Sequence, residues 1–283
     1  MQLVTFQQNG YAQPGAILGD RIIGLKAAGF STMLDIIQGG AEARRHVRTW
    51  LENPPQEESI AFERARLLAP LSRPPKIICV GLNYRDHARE CNEEIPKVPT
   101  LFSKYTTAII GPGEAIILPK GSKEPDYEAE LAVVIGKGGR YISKSLWRDH
   151  VFGYTNLNDV SARDYQAATS QWMVGKTFDT FAPIGPAIVT EDEIANPQSL
   201  DIQMIINGEI LQSSNTSELV FGIPELIEHI SSVFTLEPGD IISTGTPAGV
   251  GEAKKPPRWL RPGDHVVVRI SGIPELQNEV RAE

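Results

Sequence analysis

The sequence predicts an α+β protein that is β-dominated, has few helices, and is preceded by a small N-terminal α/β unit. Three observations predict it. From residue 76 onward, short continuous apolar runs recur, each closed by glycine or another turn residue, which is the pattern of buried strands. Only one segment there carries clear helical periodicity. The proline-rich mark Leu71-Ser-Arg-Pro-Pro75 separates this part from a first segment of mixed strand and helix signals. The 283 residues suffice for a small domain over 1–70 and a larger one over 71–283.

In chain order, residues 3–6, 16–18 and 22–25 are short apolar runs, and Gly19-Asp20 between two of them is a turn. Ser31 or Thr32 caps a short helix that runs through Ile37 and stops at Gly39-Gly40, and a second helix over 41–51 ends at Asn53-Pro-Pro55. Strands follow at 76–80, 131–135, 181–189, 202–206, 240–243 and 265–270. Asn207-Gly208 predicts a hairpin, because both residues tolerate positive φ. Pro-Gly-Asp occurs at 238–240 and 262–264, each time as a turn that opens a strand. Ile223, Leu226, Ile227, Ile230, Val233 and Phe234 form a helical stripe, with Pro224 at the first helical position.

Composition narrows the function classes. The net charge of −8 has both signs interspersed and no basic block, which argues against a nucleic-acid partner. No apolar run reaches the roughly 18 residues of a membrane span. The first residues lack the basic and apolar regions of a secretory signal, and the two cysteines, Cys79 and Cys91, form no disulfide framework. The expectation is a cytoplasmic protein.

The chemistry concentrates in Tyr127-Glu-Ala-Glu-Leu-Ala-Val-Val-Ile135. On a strand, Glu128 and Glu130 point to the same side. The strand then turns wholly apolar, so two carboxylates enter a buried region, where a bound cation would relieve their repulsion and desolvation. The competing reading is a solvated strand end. Asp159 adds a third carboxylate at the end of the run Val151-Phe-Gly-Tyr-Thr-Asn-Leu-Asn-Asp159, with Asp164 as an alternative ligand or a helix-start charge. Three carboxylates with no cysteine cluster or paired histidines select a hard cation, Mg²⁺ or Mn²⁺ over zinc.

His87 and Glu90 are three residues apart, so they share a side of a helical turn. A carboxylate bonded to one imidazole nitrogen makes the other more basic, as a general base requires. A surface His–Glu pair is the plainer alternative. Gly175-Lys-Thr177 invites a phosphate-loop reading, but Ser170 stands where that motif needs glycine, and Trp172 and Met173 fill the loop. Lys176 is better read as a cation directed into the site, with Lys104 a second candidate. Gly245-Thr-Pro-Ala-Gly-Val-Gly251 lacks the dinucleotide spacing and instead lets backbone approach a ligand.

Taken together, the blocks Val80-Gly-Leu-Asn-Tyr-Arg-Asp-His-Ala-Arg-Glu90, Pro125-Asp-Tyr-Glu-Ala-Glu130, Asn158-Asp-Val-Ser-Ala-Arg-Asp164, Lys176-Thr-Phe-Asp-Thr-Phe-Ala-Pro-Ile-Gly185, Ile206-Asn-Gly-Glu209 and Gly245-Thr-Pro247 resemble the fumarylacetoacetate hydrolase family, in family order over about residues 76–272. The N-terminal unit is similar to that of the longer bacterial members, the 2-hydroxyhepta-2,4-diene-1,7-dioate isomerase type among them. The resemblance implies a mixed β-roll and a homodimer. It puts metal ligands at Glu128, Glu130 and Asp159, a catalytic dyad at His87 and Glu90 on a segment that often orders with ligand, and the site lysine at Lys176. It also implies that Lys104, Arg163, Gln166 and Thr246 contact substrate or support the site. The substrate class is a small 2-oxo acid.

The leading expectation is hydrolysis of a C–C bond in a 2,4-dioxo acid, with His87 activating water and Lys176 and the metal stabilising a pyruvate enolate. An isomerase or decarboxylase on the same platform, acting on a hydroxymuconate-type diacid or oxaloacetate, is the first alternative. A non-catalytic metal- or ligand-binding protein is the second.

Overall fold

In this computed structural model, which describes residues 1–8 and 10–283, the expected strand-rich, helix-poor architecture is organised by one long mixed sheet. Its path is Ser59–Ala61, Arg21–Gly24, Tyr11–Leu18, Gln2–Gln8, Ala182–Thr190, Val151–Asn158, Ala129–Ile135, Ile241–Ser243, Ile77–Gly81 and Thr100–Ser103. Neighbours on this path are antiparallel except Ile241–Ser243 and Ile77–Gly81, which run parallel. A second sheet orders Glu209–Asn215, Asp201–Ile206, His265–Ile270, Ile273–Ala282 and Ile116–Leu118.

The strand Ala129–Ile135 is buried along its whole length because apolar layers cover both its faces. Leu131, Val133 and Ile135 join Ile202, Met204, Val268 and Leu276 of the second sheet in one core. Ala132 and Val134 join Ile36, Ile37 and Val47 of the helices Met33–Gln38 and Gly40–Glu52 in another. That second core joins side chains from both sides of 71–75. Gln2 pairs with Val189 and Leu3 with Ile188, so the sheet runs across 71–75, while Val4, Phe6 and Ile22 form a smaller cluster with Ala187.

Local signals were otherwise followed closely. Thr32 caps Met33–Gln38 in a reciprocal capping box with Asp35. Asn207 and Gly208 take φ of 54° and 85° between the paired strands Asp201–Ile206 and Glu209–Asn215. Helix Ile223–Val233 starts with Pro224 in its first turn. The sequence reading missed Ile273–Ala282, whose buried set includes Asn278 as well as Leu276 and Val280. Asn278 donates to Gly111 O and Glu114 O, and this polar inward position breaks the apolar run. No helix among the described residues is long and apolar enough to cross a membrane.

Candidate active site

Antiparallel pairing builds the floor. Ala129 lies opposite Asn158, so Glu128 and Asp159 leave adjacent strand ends side by side, and Asp159 N donates to Glu128 O at 2.9 Å. One carboxylate oxygen from each of Glu128, Glu130 and Asp159 lies within 4.8 Å of the others, and all three residues are buried. Such a cluster needs positive charge. Lys104 Nζ donates to Asp159 Oδ1 at 2.5 Å and to Val160 O at 3.1 Å. Lys176 Nζ donates to Glu128 Oε2 at 2.7 Å and Asp159 Oδ2 at 3.2 Å. Arg163 Nη2 stands 2.7 Å from Glu128 Oε1, an ion pair without hydrogen-bond alignment.

Glu130 is treated differently. It accepts from the Ser243 hydroxyl and from Gly245 N, with no cation at ion-pair distance among the described residues. Burial, followed by the charges of Asp159 and Glu128, pushes its carboxyl up to about 8. Burial also opposes ionisation of Glu128, but Lys176 and Arg163 outweigh it and bring that carboxyl down to about 2. The floor therefore has an all-oxygen donor set with one carboxylate uncompensated. That chemistry fits a hard divalent cation such as Mg²⁺ or Mn²⁺.

Two short helices form a wall. Arg163–Gln166 and Met173–Lys176 meet at Gly175, where a Cβ would lie 2.5 Å from Gln166 N and 2.6 Å from Ala162 O. Only glycine lets Lys176 and Arg163 converge this closely. Asp126 accepts from Arg163 Nε at 2.9 Å and from Gly251 N at 2.7 Å, tying the arginine to the glycine-rich loop. Arg163 Nη1 donates to Gln166 Oε1 at 3.0 Å. Thr246 donates to Ala129 O at 3.1 Å and accepts from Gln212 Nε2 at 2.9 Å.

The helix Arg85–Cys91 carries the expected dyad, with His87 Nδ1 at 3.4 Å from Glu90 Oε2 and Cys91 Sγ at 3.7 Å from the same nitrogen. Gly249 N donates at 2.9 Å to the Glu90 carboxylate. Burial lowers the imidazole's affinity for a proton, but the hydrogen bonds to Cys91 and Glu90, with the charge of Glu128, push it up to about 9. Glu90 is held below its ordinary range, because its bonds to His87 and Gly249 outweigh the burial that would raise it.

These parts open onto a cavity of about 690 Å³ lined by His87, Glu90, Glu128, Glu130 and Lys176, together with Arg163, Gln166 and Thr246. Asp159 and Lys104 lie behind this lining. Lys104, expected to contact substrate or support the site, has a fully buried side chain turned onto Asp159. Asp164 is spent on Ser122 Oγ and Lys123 N and stays outside the carboxylate cluster. The sequence reading also overlooked Asp126, Ser243, and the backbone donors of Gly245 and Gly249. Asp126 had a signal, an acidic residue two before Glu128 in a segment leading into a buried strand.

Known proteins share this arrangement of chain. The fumarylacetoacetate (FAA) hydrolase C-terminal family matches residues 76–281. The mitochondrial oxaloacetate tautomerase FAHD2A of Bos taurus is 46% identical over 293 residues, covering 99% of this chain and 91% of that protein. Among solved structures, the fumarylacetoacetate hydrolase of psychrophilic Exiguobacterium antarcticum is 37% identical with a TM-score of 0.88, over 100% of both chains. Maleylpyruvate hydrolase from Sphingobium sp. SYK-6, in complex with manganese(II) and pyruvate, is 31% identical with a TM-score of 0.84, over 100% of this chain and 99% of that one.

Proposed function

Because the chain belongs to the fumarylacetoacetate hydrolase family, we propose that it is a divalent-metal-dependent enzyme that interconverts the keto and enol forms of a 2-oxo diacid of the oxaloacetate class. The similarity to an oxaloacetate tautomerase along 99% of the chain carries the choice of reaction and displaces the C–C hydrolase expectation to second place. The cavity that Glu128, Glu130, the dyad and Lys176 line, with Asp159 behind it, supports the chemistry.

Glu128, Glu130 and Asp159 would hold Mg²⁺ or Mn²⁺, which when bound supplies Lewis-acid stabilisation of the negative charge developing on the substrate's oxygens. His87, oriented by Glu90, takes the proton from C3 in the enol-forming direction and returns it in the other. The Lys176 ammonium donates a hydrogen bond to the oxygen on which charge develops, and the enol forms when that oxygen takes a proton from solvent; the reverse direction returns that proton to solvent. Arg163, Gln166 and Thr246 orient the substrate's carboxylate and oxo groups, while Lys104 fixes Asp159 from behind. A cation held by the floor would offset the pull of Glu128, the smallest of the causes that raise the imidazole, and so would act in the direction that frees His87 to take a proton. The reading includes a homodimer, as the family resemblance implies. A solution mass near twice 31.0 kDa supports it and a monomer removes it.

Hydrolysis of an acylpyruvate remains the second reading, favoured by a cavity of about 690 Å³, which is roomy for a four-carbon diacid. Loss of enol absorbance with Mg²⁺-loaded protein separates the two. Accelerated loss from oxaloacetate without extra pyruvate supports the tautomerase. Pyruvate and a second acid released from acetylpyruvate, with oxaloacetate unaffected, establishes the hydrolase. Metal binding without turnover of either compound leaves a binding protein.

A further inference from the structure

A 2-oxo diacid carries a second carboxylate, and that group needs its own cation in the cavity. Five cationic or basic side chains line it: His87, Arg163, Lys176, Lys254 and Lys255. Three are already engaged by acids. His87 faces Glu90, Arg163 is divided among Asp126, Glu128 and Glu252, and Lys176 bridges Glu128 and Asp159. Neither Lys254 nor Lys255 has a carboxylate at ion-pair distance among the described residues. Lys254 is nonetheless held in place, because its Nζ donates to Leu211 O at 3.0 Å. An ammonium has three donors, so this bond anchors the head and leaves two for a ligand.

The loop that carries these lysines is itself fixed. Lys254 N and Arg258 N both donate to Gly251 O, at 3.3 and 2.9 Å, and Asp126 accepts from Gly251 N and Glu252 N. The acid that orders Arg163 on the floor thus also sets the loop at the mouth. An anchored cation on a tied loop loses less freedom on binding an anion than a free surface lysine does.

Resting on the diacid reading above, we propose that Lys254, assisted by Lys255, forms the subsite for the substrate's distal carboxylate and so sets the preference for diacids over 2-oxo monoacids. The test uses the Mg²⁺-loaded full chain and two probes whose binding is read by calorimetry: 3,3-difluorooxaloacetate, a diacid that cannot enolise at C3, and pyruvate. Lys254→Met weakens the diacid probe by about tenfold, as loss of one charge-assisted hydrogen bond does, and leaves pyruvate within about twofold. Lys254→Arg restores the preference, and Lys255→Met gives a smaller loss in the same direction. Equal weakening of both probes, or no change in either, overturns the subsite. A wild-type protein that binds the diacid more tightly but does not turn over oxaloacetate keeps the subsite and sinks the tautomerase reading. A wild-type protein that prefers pyruvate sinks the subsite itself.

Discussion

The floor of the cavity and the segment over it are built on opposite plans. On the floor, Glu128, Glu130 and Asp159 stand on two paired strands and their ends, and Lys104, Lys176 and Arg163 reach Glu128 and Asp159 through closely spaced ion pairs. Above it, His87 and Glu90 sit on the seven-residue helix Arg85–Cys91, their mutual contact is 3.4 Å, and the Glu90 carboxylate is fastened by one backbone donor, Gly249 N. The contrast teaches a division of labour. Charges that must stay put are buried and held by each other, whereas the group proposed to move protons is lightly held and can adjust to a ligand.

Breaking the floor therefore has the largest effect. Asp159→Asn leaves Lys104 and Lys176 buried with too little negative charge, so we expect about 3–5 kcal/mol of destabilisation in urea unfolding. Calorimetric Mg²⁺ binding should disappear as well. A variant that keeps both stability and metal binding would erase the contrast. The dyad should respond in the other way. His87→Asn is expected to lower kcat about 10²–10⁴-fold while Mg²⁺ affinity and Tm stay at wild-type values. A matching fall in Tm would mean that His87 is structural.

The fastening of the segment gives a smaller effect. Gly249 has φ of 106°, and a Cβ there would lie 2.2 Å from Leu211 O. Gly249→Ala should cost about 1–3 kcal/mol and displace the donor that orients Glu90, lowering kcat more than it changes KM. Equal activity in this variant would show that Glu90 needs no such anchor.

Acidity sharpens the comparison within the floor. Glu130 has a folded pKa raised to about 8, so the stability its protonated form contributes is full below the ordinary carboxylate range and is lost as pH rises through about 8. Glu128 behaves oppositely, since its folded pKa is lowered to about 2 and its stabilisation is lost only as pH falls toward that value. Metal binding must displace the Glu130 proton, so affinity should weaken by about tenfold for each pH unit below 8. Thermal shifts with and without Mg²⁺ at several pH values read this directly, and an affinity indifferent to pH from 6 to 8 would remove Glu130 from the ligand set.

Much of the site was legible in the sequence because it depends on local rules. Alternation places Glu128 and Glu130 together, a strand end delivers Asp159, and three-residue spacing pairs His87 with Glu90. What was illegible depends on distant register. The onto-Asp159 orientation of Lys104 spans 55 residues, and Gly245 N reaches Glu130 across 115. The same cause hid the pairing of Leu3 with Ile188, which carries the sheet across the proline-rich mark at 71–75. Lys176 was legible as a cation aimed at the site, but not its bridge between Glu128 and Asp159, which Gly175 makes possible.

In the proposed reaction a metal-holding floor and His87 together move a proton at C3 of a 2-oxo diacid. Exchange of the C3 hydrogens of oxaloacetate with deuterium from solvent, followed by NMR with Mg²⁺-loaded protein, tests it most directly. The account predicts exchange faster than the uncatalysed rate, dependent on Mg²⁺ and lost in His87→Asn. Exchange that is no faster than without protein, or that survives intact in His87→Asn, would contradict it.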